Sequence, residues 1–456
     1  MNLGKPVFLV FAAASALLLV PSRGVAQDLT QPVTLPEAIR LALERNPEVL
    51  IAISQLDETN GKIKEVRADA FPQVAVEGIG LRAHDPSFLN SPSFDELPPE
   101  FLAAIRPMAG NLFDILASVH QPIYTSGKVR TAIKLAQVGA SEKEAAIDTA
   151  RQQVSFKVFK AFHDWLLAGE NLALLRQTYE QRKQHLDMAR KRQEQGVATE
   201  IDVLRSQVDL SNLEPALIRS ENSIKIARSV LNTLIMIDVD APTRIDGRLE
   251  FRPIPLPDLL ESQHRAQENR PELVVARRQL EEARLLLKLA QAQNKLSVDL
   301  DARYGYSVRD PKNLFLYDFS RWSLNINFKR TFYDGGRKAG QVIQANARVR
   351  SAQENLALLE SNALLGVKSA HDELQSSARA IEAARLNVTQ AERVWKMMQA
   401  NYQYGAATTL DVQDSQTALI VANNALNQAT YDYEMAKARL RLAEGSPILD
   451  QEANSR

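Results

Sequence analysis

Between Arg337 and Tyr404 the chain has no proline and only two glycines, Gly340 and Gly366, and its apolar residues return at every seventh position. One row runs Val367, Leu374, Ile381, Val388 and Trp395; a second, three residues on, runs Ala370, Ser377, Ala384, Ala391 and Met398. A heptad seam sustained this far predicts a single helix over residues 337–404, with small residues that let neighbouring helices approach closely. A rise of about 1.5 Å per residue makes it on the order of 100 Å long, a rod rather than a core helix.

A shift of 209 residues carries this rod onto an earlier one. The first row becomes Val158, Trp165, Leu172, Tyr179 and Leu186, and the second becomes Ala161, Ala168, Leu175, Arg182 and Ala189. The same shift aligns Tyr333-Asp-Gly-Gly-Arg337 with Tyr124-Thr-Ser-Gly-Lys128, Gly405 with Gly196, Asp411 with Asp202 and Ser415 with Ser206. One constant offset over both rods and their flanks marks an internal duplication.

Each repeat reads helix–strand–strand–long helix–helix, a mainly α chain with a small β part. The first repeat covers residues 27–237. Its opening helix starts at Thr34-Leu-Pro-Glu37 and restarts at Pro47; strands follow near 73–83 and 113–123, then a long helix over 128–195 and a returning helix over 200–236. The second covers 258–445, with a helix that restarts at Pro271, strands near 297–308 and 321–330, the long helix 337–404 and a returning helix 409–444. Residues 238–257, with Pro242, Pro253, Pro255 and Pro257, form a linker, and 446–456 a tail. Pro215 stands in the first returning helix where its duplicate has Asn424, which predicts a local kink.

The strands separate their faces sharply. Val298, Leu300, Ala302, Tyr304 and Tyr306 alternate with Ser297, Asp299, Asp301 and Arg303. Trp322, Leu324, Ile326 and Phe328 alternate with Arg321, Ser323, Asn325, Asn327 and Lys329. Phe113, Ile115, Ala117 and Val119 oppose Asp114, Ser118 and His120, whereas residues 73–83 alternate imperfectly. An apolar face set against a strongly polar one suits a barrel with lipid outside and water inside, and about ten residues is the length of a tilted membrane strand. A half-buried sheet of a soluble protein has the same alternation. In lipid, four strands leave open edges, so several copies must share one barrel. The proline-rich insert between His84 and Gly110 reads as an external loop.

Composition narrows the classes. Lys+Arg and Asp+Glu both number 55, so nothing favours nucleic acid as a partner. The apolar run Val7–Val20, followed by small residues up to Ala26, reads as a secretory signal over residues 1–26. No later apolar run is long enough for a membrane helix. The absence of cysteine excludes thiolate metal sites. His84, His120, His163, His185, His264 and His371 are scattered without ligand spacing and read as surface or lumen residues. No phosphate loop, nucleophile elbow or metal-binding helix motif occurs, so neither enzyme chemistry nor a cofactor is expected.

The duplicated order, with Tyr-Asp-Gly-Gly-Arg ahead of the long helix and Gly-Val-Ala-Thr at the tip, resembles the TolC-like outer-membrane efflux protein family over nearly the whole mature chain. The resemblance implies a homotrimer whose strands share a twelve-stranded transmembrane β-barrel and whose helices form a periplasmic α-barrel. It also implies a periplasmic adaptor protein and an inner-membrane pump or ABC exporter as partners, in a small-molecule efflux pump. A type I protein secretion system uses the same duct, and a soluble periplasmic coiled-coil scaffold is the reading from another class.

In the same family acidic rings close the periplasmic end. The matching residues are Asp411 and Asp414, with Tyr402 before them, although acids at this point also serve a helix start. Ala407 stands where some members have an arginine latch. Adaptor docking is expected at Gly196, Val197, Ala198 and Thr199 and at Gly405, Ala406, Thr408 and Thr409. Outer-membrane lipid is expected against Val298, Leu300, Tyr304, Trp322, Leu324, Ile326 and Phe328.

Overall fold

The computed structural model describes residues 32–83 and 110–449; the signal-like segment, the proline-rich insert and the residues from 450 onward lie outside the described residues. Two short helices open the first repeat, α1 (Leu35–Arg45) and α2 (Pro47–Ala68). Asn46 divides them, its side chain accepting from the Glu48 N–H while Pro47 occupies the first turn of α2. Strands β1 (Gln73–Ala83) and β2 (Gly110–Tyr124) follow, then the 67-residue α3 (Lys128–Glu194). The returning arm is two helices, α4 (Glu200–Ser211) and α5 (Glu214–Leu234). The expected kink falls at Asn212 and Leu213, a two-residue turn that keeps right-handed helical dihedrals, because Pro215 lacks an N–H and cannot continue the α4 ladder.

The second repeat runs α6 (Leu259–Asn269), α7 (Pro271–Ala292), β3 (Ser297–Val308), β4 (Ser320–Lys329), α8 (Arg337–Gln403) and α9 (Thr409–Glu444). Here α8 also has 67 residues, and α9 runs unbroken for 36 because Asn424 replaces proline.

The strands form one antiparallel sheet in the order β1-β2-β3-β4, so the central β2–β3 pairing joins the two repeats. The β3–β4 register places Val298 opposite Phe328, Leu300 opposite Ile326, Ala302 opposite Leu324 and Tyr304 opposite Trp322. The alternate pairs are polar, Asp299 with Asn327, Asp301 with Asn325 and Arg303 with Ser323. Among the described residues the sheet is open within one chain: β1 and β4 each keep a free edge.

Below the sheet two equivalent cores hold the rods. Val158, Ala161 and Trp165 of α3 pack with α1 and with Leu231 and Ile235 at the end of the first arm. Their duplicates Val367, Ala370 and Leu374 of α8 pack with Ala266 of α6 and with Tyr433 and Ala436 of α9. The linker is strapped to this body. Val33 bridges Ile245, the Ile254 N–H donates to the Tyr433 hydroxyl at 3.0 Å, and His371 Nε2 lies 3.1 Å from the Pro257 carbonyl.

Candidate functional site

Both rods end alike. Gly196 and Gly405 adopt φ of 76°, a left-handed conformation that L side chains resist. The next amides fold back, Val197 N to Arg192 O at 2.9 Å and Ala406 N to Asn401 O at 2.8 Å, closing each helix with a Schellman turn. Three residues later a capping box starts the returning helix. Thr199 pairs with Asp202 and Thr408 with Asp411, each threonine hydroxyl and each aspartate serving the other's backbone. The tips are therefore rigid reversals, with Val197 62% exposed at the end of the first.

Asp411 is exposed and spends its carboxylate locally: Oδ2 accepts from the Thr408 N–H at 2.8 Å and hydroxyl at 2.6 Å. Those hydrogen bonds hold its carboxyl below the ordinary carboxylate range, so it stays ionised. Asp202 is held down in the same way by Thr199. Asp414, one turn along α9, is also exposed.

Tyr402 is placed otherwise than its neighbours in the sequence suggest. It is buried at 7% exposure, and the Thr409 hydroxyl lies 3.5 Å from its own. The Arg192 guanidinium sits 4.6 Å from its ring centre and donates to its carbonyl at 3.3 Å. The His185 ring lies 5.4 Å from the same ring. Tyr402 thus joins the two hairpins, while Asp411 and Asp414 face solvent. Arg192 escaped sequence reasoning, since its partner lies 210 residues away and Arg192 itself stands on neither repeated row.

Phe159 of α3 packs with Met435 and Ala438 of α9, and polar contacts run along the same interface: Tyr431 to Asp164 at 2.6 Å, Asn427 to Asn171 at 3.4 Å and Gln416 to Gln181 at 3.0 Å. Burial, reinforced by the Asp164 carboxylate, pushes the Tyr431 phenol well up, so it remains a donor.

Three histidines correct the expectation of surface or lumen positions, one of them His371, half-buried against the Pro257 carbonyl. His163 is buried, stacked 4.0 Å from Phe159 and hydrogen-bonded through Nδ1 to the Phe159 carbonyl, and burial lowers its pKa. His185 is half-buried and lowered for the same leading reason. Helical spacing alone does not say which face of a rod is covered when several helices surround it. Among the described residues no three His, Asp or Glu converge as a metal cluster, and no helix is long and apolar enough to cross a membrane.

On the sheet, Trp322, Leu324, Ile326 and Phe328 are exposed in a single column at 77, 60, 59 and 72%. Tyr304 is exposed, and Val298 and Leu300 are half-buried. The opposite face carries a cross-strand polar network: His120 with Asp301 at 2.9 Å, Asn327 with Asp301, and Arg321 with Asp114.

A family model described as "Outer membrane efflux protein" matches residues 38–235 and 263–446, the two repeats. Outer membrane protein TolC of Vibrio cholerae is 22% identical over 417 residues, covering 90% of each chain. The alkaline protease secretion protein AprF of Pseudomonas aeruginosa is 24% identical over 302 residues, 66% of this chain and 62% of that one. The crystal structure of the Campylobacter jejuni CmeC outer membrane channel superposes with a TM-score of 0.81 at 17% identity, covering 92% of this chain and 88% of that one.

Proposed function

This chain belongs to the outer membrane efflux protein family, and we propose that it is the passive exit duct of a tripartite pump, assembled as a homotrimer. It is an outer-membrane efflux channel with a long periplasmic helical extension. The observation that carries the proposal is the open four-stranded sheet with one apolar and one polar face, continuous with two 67-residue rods. Unpaired edge amides in lipid cost several kcal/mol each, and three copies pairing β4 to the next β1 remove every edge. The exposed column from Trp322 to Phe328 then meets lipid, and the polar network lines the water-filled bore.

No step of catalysis is needed. The pump and its adaptor supply energy and cargo, and the duct conducts. The exposed tips at Gly196–Thr199 and Gly405–Thr409 are the surface the adaptor meets. Asp411, kept ionised by its cap, and Asp414 one turn on supply negative rings at the periplasmic mouth under threefold symmetry, favouring cations. Likeness to AprF, whose name gives a protease as cargo, supports protein secretion as the second reading.

The experiment is conductance of the purified protein in planar bilayers. Wild type gives cation-selective pores, and Asp411→Asn with Asp414→Asn lowers cation selectivity and block by polyvalent cations. Absence of pores would remove the duct, whereas unchanged selectivity would remove only the acidic mouth.

A further inference from the structure

The exposed column of β4 does not end at Phe328. The chain runs on from it through Arg330 and Phe332, just past the last strand residue, Lys329. There the Arg330 guanidinium packs 5.1 Å from the Phe332 ring centre. Phe332 and the adjacent Tyr333 are 86% and 87% exposed, which is costly in water for two large rings side by side.

Height along the sheet gives this pair its setting. Ten residues separate Trp322 from Phe332; at about 3.3 Å each and a tilt near 40° an extended run of that length spans at most about 25 Å, the height of the apolar band of an outer-membrane barrel. Trp322 then marks one boundary and Phe332 the other, on the periplasmic side where α8 begins. Charge at that level is lopsided in a chain whose total is zero. Lys329, Arg330, Arg337 and Lys338 lie within ten residues, against Asp334 alone. The Asp334 carboxylate is already taken, accepting from Asn294 Nδ2 at 2.6 Å, Lys338 N at 2.9 Å and Gly336 N at 3.1 Å.

The duplication supplies an internal comparison. A shift of 209 residues replaces Arg330 by Gln121 and Phe332 by Ile123. Gln121 is tied to the backbone instead, donating to the Ala70 and Pro122 carbonyls. The cation stacked on an aromatic ring thus belongs to the second repeat alone.

From this placement we infer that Arg330, propped by Phe332 and flanked by Tyr333, binds the phosphate of an anionic phospholipid in the inner leaflet of the outer membrane. The guanidinium forks onto phosphate oxygens while the rings take the glycerol and upper acyl carbons. Basic side chains at a membrane boundary draw anionic headgroups, and a ring beneath the guanidinium restricts its orientation. A second copy leaves this face open, since neighbours in a closed barrel pair through strand edges. The inference rests on the membrane-spanning reading of the sheet.

The test uses the full chain reconstituted in nanodiscs of phosphatidylethanolamine with and without one quarter phosphatidylglycerol, followed by native mass spectrometry of retained lipid. Wild type retains phosphatidylglycerol in excess of its share of the bilayer. Arg330→Gln and Phe332→Ala each reduce that excess, the former by about fivefold, the worth of one basic residue at an anionic surface. Arg309→Gln, at the other end of β3, leaves it unchanged. Equal retention in wild type and Arg330→Gln, or no excess in wild type that has entered the bilayer, overturns this site alone. Failure of wild type to enter either bilayer overturns the membrane-spanning reading with it.

Discussion

The Arg192 guanidinium rests 4.6 Å from the centre of the Tyr402 ring and donates to the Tyr402 carbonyl, so the end of the first rod is fastened to the tip of the second. A half-buried cation on an aromatic face contributes about 1 kcal/mol, and the charged hydrogen bond a similar amount. Arg192→Gln and Tyr402→Leu should each raise hydrogen exchange at the Gly405 tip by about fivefold to tenfold. Their effects should be less than additive in the double variant, by about 1 kcal/mol.

His185 sits beside this contact. Burial lowers its pKa, Asp209 of α4 pulls it back up, and Arg192 on its own helix pushes it further down. Arg182 lies one turn before it on α3, and the Tyr402 ring faces it from α8. A folded-state pKa below the unfolded value means that the stability is complete above the ordinary histidine range and is lost as pH falls through the depressed value. Hydrogen exchange at the tips measured from pH 7.5 to 5 should therefore accelerate in acid in wild type. His185→Leu, which keeps the volume and removes the proton site, should flatten that dependence.

The two capping boxes should be equivalent in energy although they start helices of different length. Thr199→Ala and Thr408→Ala should each cost about 1 kcal/mol of local stability, read as faster exchange over the first turn of α4 or α9. Asp411 carries the corresponding pH sign. With its pKa held down by Thr408, its contribution is present above the ordinary carboxylate range and is lost as pH falls through the depressed value. A carboxyl titration of Asp411 by NMR in wild type and in Thr408→Ala should show the value rising in the variant.

Gly305 lets β3 approach β2 more closely than a side chain allows. A Cβ there would meet the Ile115 carbonyl oxygen and the Leu116 Cα at 2.8 Å from the latter, both of them backbone. Gly305→Ala should open the pairing that joins the two repeats and reduce assembled, heat-resistant oligomer in the outer-membrane fraction. Gly78→Ala on β1, where nothing lies within 4 Å, should assemble as wild type does.

What the sequence made legible follows from periodicity. Heptads such as Val367–Leu374–Ile381 are local, repeated and duplicated, so the rods were readable along with their shared offset. The alternation in β3 and β4 was readable because the outward residues are apolar, most of them large, and the inward ones, Gly305 apart, are polar. In β1, Gly78 and Gly80 interrupt the outward column and blur the same signal. Contacts between repeats left no such trace. Arg192 with Tyr402 and Asp164 with Tyr431 are single pairs 210 and 267 residues apart. Tyr402 shows the consequence: the resemblance set it beside Asp411 at the mouth, but nothing in the sequence says that its buried ring packs against Arg192 and His185 of α3. The interruption at Asn212 and Leu213 was legible from Pro215, because a residue without an N–H cannot continue the ladder.

The central claim is that no single copy completes the duct, since among the described residues β1 and β4 each leave a free edge and the apolar column stays uncovered. Light scattering with correction for bound detergent, applied to protein extracted from the outer membrane, measures the number of chains per particle directly. Three chains per particle, with detergent bound as a belt, is the predicted result. A single chain that remains in solution after detergent is removed would contradict it.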